Sequence, residues 1–238
     1  MIEIQNLSVT FKGEKVLHDI NLTISEGKRT VIAGKSGSGK SVLMKTVEGI
    51  IKPSEGTVFI DGIDIFTVST KSLNAIRQKM SLLFQSSALF DSMNIFQNIA
   101  FPLVEHSKYT KDEIIRLVEE KLELVGLHNV SLKMPSELSG GMKKRAALAR
   151  AIINKPKYII YDEPTTGLDP QISYDIVSLI LDLQNSLQHT AVIITHDLKC
   201  IQRTADNIVI LEDGRILFDG TYGQFLQADN QCCRQFRE

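Results

Sequence analysis

The feature that most constrains this chain is an eight-residue run that fits the pattern G-x-x-x-x-G-K-[ST] at every fixed position: Gly34-Lys35-Ser36-Gly37-Ser38-Gly39-Lys40-Ser41. Residues 29–33, immediately before the run, are apolar and β-branched, and apolar residues recur at helical spacing over 40–50. The run therefore follows a predicted strand and opens a predicted helix. This is the context in which such a loop binds phosphate groups, and a chance glycine-rich turn is the alternative.

Each residue type in this run suits a triphosphate. We expect Gly34, Gly37 and Gly39 to adopt open dihedrals that bring backbone N–H groups and the helix N-terminus close to the anion. Lys40 is predicted to reach the β- and γ-phosphates. The hydroxyl of Ser41 is predicted to bind Mg²⁺, which prefers hard oxygen ligands. Nucleotide binding follows, but the run does not say which class of nucleotide-dependent protein this is.

Composition limits the remaining possibilities. With 238 residues, 43% of them hydrophobic, the chain can form one large α/β domain or a core with an inserted lobe. A net charge of -1 argues against a dedicated nucleic-acid surface. No window approaches the roughly 18 to 20 apolar residues that span a bilayer, and the N-terminus lacks a signal-peptide pattern, so a cytoplasmic protein is expected. Cys200, Cys232 and Cys233 show no disulfide or metal spacing, and the vicinal pair is expected in a solvated tail.

Polar residues follow three predicted core strands. The strand at 80–84 ends at Gln85, the strand at 158–161 ends in Asp162 and Glu163, and the strand at 191–195 ends at His196. The first acid of such a pair typically holds Mg²⁺, and the second can orient or deprotonate an attacking water. His196 is a candidate contact to a γ-phosphate, whereas Gln85 fits a site or a cap of the next turn equally well.

Between 86 and about 154 the pattern becomes helical, which indicates an inserted lobe. Thr110-Lys111-Asp112-Glu113 is a predicted capping box, and the last helix begins after Leu138-Ser139-Gly140-Gly141-Met142. Lys143, Lys144 and Arg145 are expected to form a solvated face of that helix. Outside the lobe, strands are predicted at 2–11 and 20–24, and a hairpin over 207–220.

Taken together, the run at 34–41, Gln85, the motifs at 138–142, 158–163 and 167–169, and His196 resemble an ABC transporter ATPase subunit over essentially the whole chain. The resemblance implies an α/β P-loop NTPase fold with a RecA-like core, an N-terminal antiparallel β patch and an inserted α-helical subdomain. The core and β patch would comprise 1–86 and 156–238, and the helical subdomain about 87–155.

The resemblance also implies a role for each site residue. Phe11 would stack on adenine, although packing against the sheet is the alternative from local sequence. Phosphates would be held by the loop, whose members are Gly34, Lys35, Ser36, Gly37, Ser38, Gly39, Lys40 and Ser41. Ser41 and Gln85 would ligate Mg²⁺ with support from Asp162, Glu163 would be the catalytic base, and His196 would contact the γ-phosphate.

The glycine pair at 140–141 predicts a second anion site, and the family resemblance implies that the anion belongs to a second copy of the chain. A glycine pair at a helix N-terminus presents amides and a dipole to an anion, yet the loop at 34–41 already surrounds its own ATP. In the family, Ser139, Gly140 and Gly141 would cap the ATP of the partner in a head-to-tail dimer, with Asp169 near the interface.

Met142 stands where most members of the family have Gln, and Met cannot donate an amide hydrogen bond. The signature 138–142 and the stretches 80–96 and 134–138 are similar to a narrower group, the ATPases of Mla-type, Mce-linked phospholipid transporters. That group implies integral membrane permease subunits, an Mce-domain protein, sometimes a small cytoplasmic accessory subunit, no nucleic acid, and a place at the cytoplasmic face of the inner membrane.

Leu89, Phe90, Met93 and Phe96 are candidate contacts for a permease helix, or they simply pack the helical lobe. An ATPase of an importer for a small polar solute such as an amino acid is the alternative within transport. A soluble ABC ATPase working on DNA or the ribosome would predict tandem domains, a long coiled-coil insertion or a basic face, and the sequence shows none of these. A P-loop kinase would have no use for the signature at 139–141.

Overall fold

The computed structural model describes residues 1–106 and 109–237. Within these residues the chain forms two units, one made of 1–79 together with 189–238 and the other of 80–188. No helix in the described ranges is long and apolar enough to cross a membrane. The predicted division into a core at 1–86 and 156–238 and a helical subdomain at 87–155 stays a prediction.

Strands and helices are numbered here in chain order. The strands in the described ranges are β1 (Ile2–Phe11), β2 (Glu14–Ile24), β3 (Arg29–Ala33), β4 (Glu55–Ile60), β5 (Ile63–Asp64), β6 (Met80–Leu83), β7 (Tyr158–Asp162), β8 (Thr190–Thr195), β9 (Asn207–Glu212) and β10 (Arg215–Thr221). The helices over the same ranges are α1 (Lys40–Val47), α2 (Thr70–Arg77), α3 (Ile95–His106), α4 (Lys111–Leu124), α5 (Gly140–Ile152), α6 (Pro170–Leu187), α7 (Leu198–Thr204), α8 (Tyr222–Gln227) and α9 (Gln231–Arg237). A short 3₁₀ helix lies at Pro135–Glu137.

The first unit begins with an antiparallel sheet in the order β2-β1-β4-β5. Ile2 and Ile4 of β1 are buried because alternate side chains of a strand point to the same face. The sequence predicted the second strand only from residue 20, but β2 begins at Glu14. Leu17 extends the pairing, since it lies opposite Val9 and is fully buried.

The same unit contains a second set of strands in the order β10-β9-β3-β8, in which β3 is parallel to both β8 and β9. Residues 190–195 are all buried, which explains the continuous apolar run in the sequence. Ala33 lies opposite Thr195, so the two parallel strands end in register. The predicted hairpin is confirmed: β9 and β10 are antiparallel, and both Asp213 and Gly214 have positive φ angles, of 46° and 70°.

The second unit contains the parallel pair β6 and β7, with Leu83 opposite Tyr161 at their carboxyl ends. The predicted capping box of α4 is confirmed, because Thr110 Oγ1 accepts from the Glu113 N–H and the Glu113 carboxylate accepts from the Thr110 N–H at 2.7 Å. Helices α3, α4 and α5 pack on one another. Residues 86–154 are therefore largely helical, as predicted.

The expectation of a solvated C-terminal tail is wrong for the vicinal cysteines. Residues 231–237 form α9, in which Cys233 is fully buried and Cys232 is 8% exposed. Burial and the neighbouring Cys232 raise the pKa of the Cys233 thiol to about 11, which disfavours the reactive thiolate. Arg237 donates to the carbonyls of Phe225 and Ala228 and so holds α9 to the end of α8. Glu238 lies outside the described residues.

The buried side chain of His189, immediately before β8, predicts that the first unit loses stability in acid. Its side chain is 2% exposed, and burial lowers its pKa from 6.5 to about 4. The unfolded chain binds a proton here below about pH 6.5, whereas the folded chain does so only near pH 4. The contribution of His189 to the free energy of unfolding is therefore lost as the pH falls from about 6.5 towards about 4.

We expect His189→Gln to reduce the difference in free energy of unfolding between pH 7.5 and pH 5, measured by urea denaturation. His128→Gln is the matched control, because His128 is exposed in the second unit. An unchanged pH dependence in His189→Gln would contradict the assignment, whatever the overall stability of that variant.

Candidate functional site

The loop at 34–41 joins β3 to α1, as the sequence predicted. Lys40 is 9% exposed, and its Nζ donates to the backbone carbonyls of Gly34 at 2.6 Å and Lys35 at 2.8 Å. The ammonium group is thereby held inside the curve of the loop. A fixed cation in this place provides a charge for a bound phosphate without further ordering of the side chain.

Glycine is required in the loop for two different reasons. Gly37 and Gly39 have φ angles of 83° and 102°, which side chains rarely adopt, so the expected open dihedrals are confirmed there. The expectation is wrong for Gly34, whose φ is not in the left-handed region. A Cβ at Gly34 would instead lie 2.3 Å from the Leu211 carbonyl oxygen, so glycine is required by the close approach of β9.

Two observations show that the loop fits an anion. Gly39 is the N-cap of α1 and provides no side-chain hydrogen bond to the amides of the first turn. Ser38 Oγ is buried and has no hydrogen-bond partner among the described residues. Buried polar atoms are rarely left without a partner, so an oxygen-rich ligand would satisfy both groups. Gly214 N–H donates to the Ser38 carbonyl at 3.1 Å and braces the loop from the β9–β10 turn.

The remaining predicted contacts of the first unit lie at the surface. His196 follows Thr195 directly, and Thr195 pairs with Ala33, so His196 and the loop leave the sheet at the same edge. His196 and Ser41 are exposed, as are Lys35 and Ser36. Phe11 ends β1 with 43% of its surface exposed, which leaves its ring accessible for stacking.

In the second unit, Gln85, Asp162 and Glu163 lie at the carboxyl ends of two neighbouring parallel strands. Leu83 of β6 pairs with Tyr161 of β7. Asp162 and Glu163 follow Tyr161 directly, and Gln85 comes two residues after Leu83. Gln85 is exposed, and both acids are partly exposed. The structure therefore brings together the amide and the two carboxylates that the sequence singled out separately.

Glu163 has an unusual backbone. Its φ is 45°, a left-handed value that a glutamate rarely adopts. Thr166 Oγ1 donates to Glu163 Oε2 at 2.9 Å and holds the carboxylate in place. Strained residues of this kind concentrate at functional sites, where the surrounding structure keeps them in a required position. The sequence analysis did not single out Thr166.

Lys144 corrects another expectation. It was assigned to a solvated face, but it is 2% exposed, and its Nζ donates to the carbonyls of Phe84 at 3.2 Å and Gln85 at 2.8 Å. Burial lowers its pKa to about 8, against the opposing effect of the carboxylates of Asp162 and Glu163. Helical spacing could have found it, because Lys144 lies three residues after Gly141 and four before Leu148, and both are buried.

The signature at 138–142 starts α5. Ser139 is its N-cap and accepts from the Met142 N–H at 3.4 Å, and Ser139 and Gly140 are both exposed. A Cβ at Gly141 would lie 2.8 Å from Ile172 Cγ2 of α6, so glycine is required there by packing. Asp169 is exposed and caps α6 by accepting from the Ile172 N–H at 2.9 Å. The exposed N-terminus of α5 can accept an anion from outside the unit.

The residues predicted to hold Mg²⁺ fit a hard cation by the type of their donors. Ser41, Gln85 and Asp162 provide a hydroxyl, an amide carbonyl and a carboxylate, and each is at least partly accessible to solvent. No cluster of three or more His, Cys, Asp or Glu suitable for a metal occurs in the described ranges. Each of these three oxygen donors, taken by itself, is of the type that Mg²⁺ prefers.

An apolar groove lies between α3 and α4. Its volume is about 390 Å³, and its apolar lining includes Met93, Phe96, Phe101, Val104, Ile114 and Ile115. Val104 is 64% exposed. Of the predicted partner contacts, Leu89 and Phe90 do not line the groove, and the Phe90 ring packs on Phe101 with centroids 5.0 Å apart.

The chain is similar to known proteins over most of its length. A family model described as ABC transporter matches residues 17–166. The intermembrane phospholipid transport ATP-binding protein MlaF of Haemophilus influenzae is 43% identical over 238 residues, covering 99% of this chain and 89% of that protein. The probable ribonucleotide transport ATP-binding protein mkl of Mycobacterium tuberculosis is 41% identical over 235 residues, and the match covers 99% of this chain but 66% of that protein's length.

A solved structure also matches. It is a dimeric ATP-binding cassette in a post-hydrolysis state bound to ADP and Pi, with a TM-score of 0.84 and 31% identity over 93% of this chain and 98% of that chain. The predicted α/β P-loop fold with a β patch and a helical insertion is confirmed by this likeness.

Proposed function

Because this chain belongs to the ABC transporter family as an ATP-binding cassette, we propose that it is the ATP-hydrolysing subunit of a transporter that moves phospholipid between membranes of the cell envelope. The observation that carries the substrate class is the 43% identity to the phospholipid transport protein of Haemophilus influenzae, 89% of which is covered. Residues 138–142 and 80–96 resemble the same group. Importers of small polar solutes are the alternative.

The proposed site uses the loop of the first unit to bind the triphosphate. Lys40 and the amides of 34–41 hold the phosphates, Phe11 stacks on adenine, and His196 contacts the γ-phosphate. Ser41, Gln85 and Asp162 would hold Mg²⁺, which when bound neutralises charge on the β- and γ-phosphates during transfer. Support comes from the Lys40 ammonium, which is held by the loop carbonyls, and from the buried Ser38 hydroxyl, which has no hydrogen-bond partner in the part of the chain that the structure describes.

Glu163 is proposed as the base that orients and deprotonates the attacking water. Its carboxylate is positioned by Thr166 at 2.9 Å and by a backbone with a φ of 45°. A base must lie in a fixed place relative to the water, because misplacement reduces the rate steeply. The hydrogen bond and the backbone conformation supply that constraint before substrate binds.

The working unit is proposed to be a dimer of two copies, each signature capping the ATP of the other. Ser139, Gly140 and Gly141 begin a 13-residue helix whose first turn is exposed, and a two-fold axis lets both copies satisfy both ATP sites. Asp169, also exposed, would lie near the interface. The related cassette bound to ADP and Pi is itself dimeric.

ATP-driven closure of the dimer would act on integral membrane permease subunits at the cytoplasmic face of the inner membrane. The groove between α3 and α4 is proposed to bind an apolar helix of the permease, because its lining is largely apolar and the side chain of Val104 in that lining is exposed. An Mce-domain protein and a small cytoplasmic accessory subunit would complete the complex.

The test is to purify tagged Glu163→Gln protein from gently solubilised membranes with ATP and Mg²⁺, and to identify the co-purifying proteins and lipids by mass spectrometry. A permease, an Mce-domain protein and bound phospholipid are expected. Co-purification of a permease for nucleotides, amino acids or another small solute would show that the substrate is that solute and not phospholipid. Recovery of soluble partners or ribosomes alone would overturn the transport assignment.

In the same experiment, Val104→Glu is expected to lower permease recovery at least about tenfold, because a carboxylate would be buried against an apolar helix. Leu132→Glu is the matched control, since Leu132 lies in the same unit, is 85% exposed and does not line the groove. ATP hydrolysis by the isolated cassette should be unchanged in both. Equal permease recovery with the two variants would place the permease contact elsewhere.

A further inference from the structure

Two cationic side chains of α5 hold the backbone of the loop that carries Gln85. Lys144 Nζ donates to the carbonyls of Phe84 at 3.2 Å and Gln85 at 2.8 Å. Arg150 donates to the carbonyls of Ser87 at 3.0 Å and Ala88 at 2.8 Å. All these residues belong to the second unit. One helix thus donates to four of the five backbone carbonyls of 84–88.

The loop needs this support because its own conformation is unfavourable. Ser87 and Ala88 have φ angles of 65° and 44°, and side chains rarely occupy this left-handed region. A single backbone bond, from the Ser87 N–H to the Phe84 carbonyl at 3.0 Å, closes the turn. Strained residues persist where surrounding contacts over-determine them, and the Lys144 and Arg150 bonds are such contacts.

Both cations are well suited to hold the loop rather than to face solvent. Lys144 is 2% exposed, and a buried ammonium is tolerated only when its donors are bonded. Arg150 also packs its guanidinium 5.8 Å from the centre of the Phe90 ring, beyond the far end of the loop. Six residues separate the two, which is about 9 Å along a helix, so they hold the two ends of the 84–88 stretch.

From this arrangement we propose that Lys144 and Arg150 are positioning residues that fix the Gln85 loop to α5, so that Gln85 and the signature at the start of α5 move as one body. The inference rests on the proposed function for the roles of Gln85 and the signature. Neither cation is placed in contact with ATP. They act by linking a predicted Mg²⁺ ligand to the helix that caps the ATP of the second copy.

The test compares Lys144→Met with Lys121→Met by hydrogen exchange of the amides in 84–90. Lys121 is the matched control, because it lies in the same unit, is equally buried at 2% exposure and pairs with Glu120 instead of the loop. Methionine is unbranched and only one atom shorter than lysine, and it removes the hydrogen-bond donors of either side chain. We expect about tenfold faster exchange over 84–90 in Lys144→Met and no change there in Lys121→Met. Equal exchange in the two variants would overturn the proposal.

A kinetic readout separates positioning from general destabilisation. Lys144→Met should keep the ATP dissociation constant, because the phosphate loop is untouched, while kcat falls about 10- to 100-fold. Arg150→Lys keeps the charge but has a different donor geometry, so it should show a smaller loss than Arg150→Met. The double variant with Lys144→Met and Arg150→Met should lose less than the product of the single losses, because both act on one loop. A double variant whose loss in kcat equals the product of the two single losses would contradict the proposal that both residues hold one loop. A parallel rise in the ATP dissociation constant would contradict it as well.

The exchange measurement does not require ATP turnover, so it remains decisive if the transport assignment fails. Wild-type protein without ATPase activity but with a protected 84–90 segment would remove the proposed function and leave the loop attachment standing. Normal ATPase activity of the wild type together with fast exchange over 84–90 would remove the loop attachment and leave the proposed function standing.

Discussion

Glu163→Gln should reduce ATP turnover by about 10²- to 10⁴-fold, the usual contribution of a general base, while ATP is still bound. The amide of glutamine can accept the Thr166 Oγ1 hydrogen bond that now holds the carboxylate at 2.9 Å, so the local structure should survive. It cannot take a proton from water at neutral pH. The measurement is steady-state phosphate release together with a nucleotide-binding isotherm on the same preparation.

Glu119→Gln provides the control for this result, because Glu119 is an exposed glutamate on α4. Its turnover should match that of the wild type. If ATP bound to Glu163→Gln traps a dimer that sedimentation detects, the proposed pairing of two copies gains support. Turnover by Glu163→Gln at the wild-type rate would show that another group is the base.

Lys40→Ala should weaken ATP binding about 10- to 100-fold, because a hydrogen bond to a charged partner contributes about 1.5–3 kcal/mol and each 1.4 kcal/mol is tenfold in affinity. The loss removes the ammonium that now bonds to the carbonyls of Gly34 and Lys35. Binding of a fluorescent ATP analogue by titration measures it. Hydrolysis should fall with binding.

Lys45→Ala is the matched control for the phosphate loop, since Lys45 lies on the same helix α1 but is exposed near its end. It should bind ATP like the wild type. The thermal unfolding midpoint of each variant shows whether folding is intact. Retained affinity in folded Lys40→Ala would mean that the cradle at 34–41 does not hold the phosphates.

The sequence predicted local features well where one short segment contains its own explanation. The Thr110 to Glu113 capping box and the hairpin through Asp213 and Gly214 occur as expected, and β6 and β7 end within two residues of Gln85 and Glu163. Each depends on hydrogen bonds or dihedral preferences within a few residues. The family resemblance then provided the fold, which the comparisons confirm, and the residue roles, which stay predictions.

The failures share a different cause. Cys233 was placed in a solvated tail and Lys144 on a solvated face, yet their exposures are 0% and 2%. Composition suggested exposure in both cases, whereas burial depends on which other segment lies against the residue. For Lys144 that segment is 84–88, about sixty residues earlier in the chain.

The sequence by itself determined that this chain has a run at 34–41 with the pattern of a phosphate loop, a signature at 139–141 and polar residues near the ends of its core strands, because these depend on residue type and short spacing. Tertiary structure alone decided that Gly34 must be glycine to admit the Leu211 carbonyl, and that Lys144 holds the Gln85 loop. Both depend on contacts between segments far apart in the chain. No local pattern encodes such a contact, since the packing of the whole unit sets the distance between those segments.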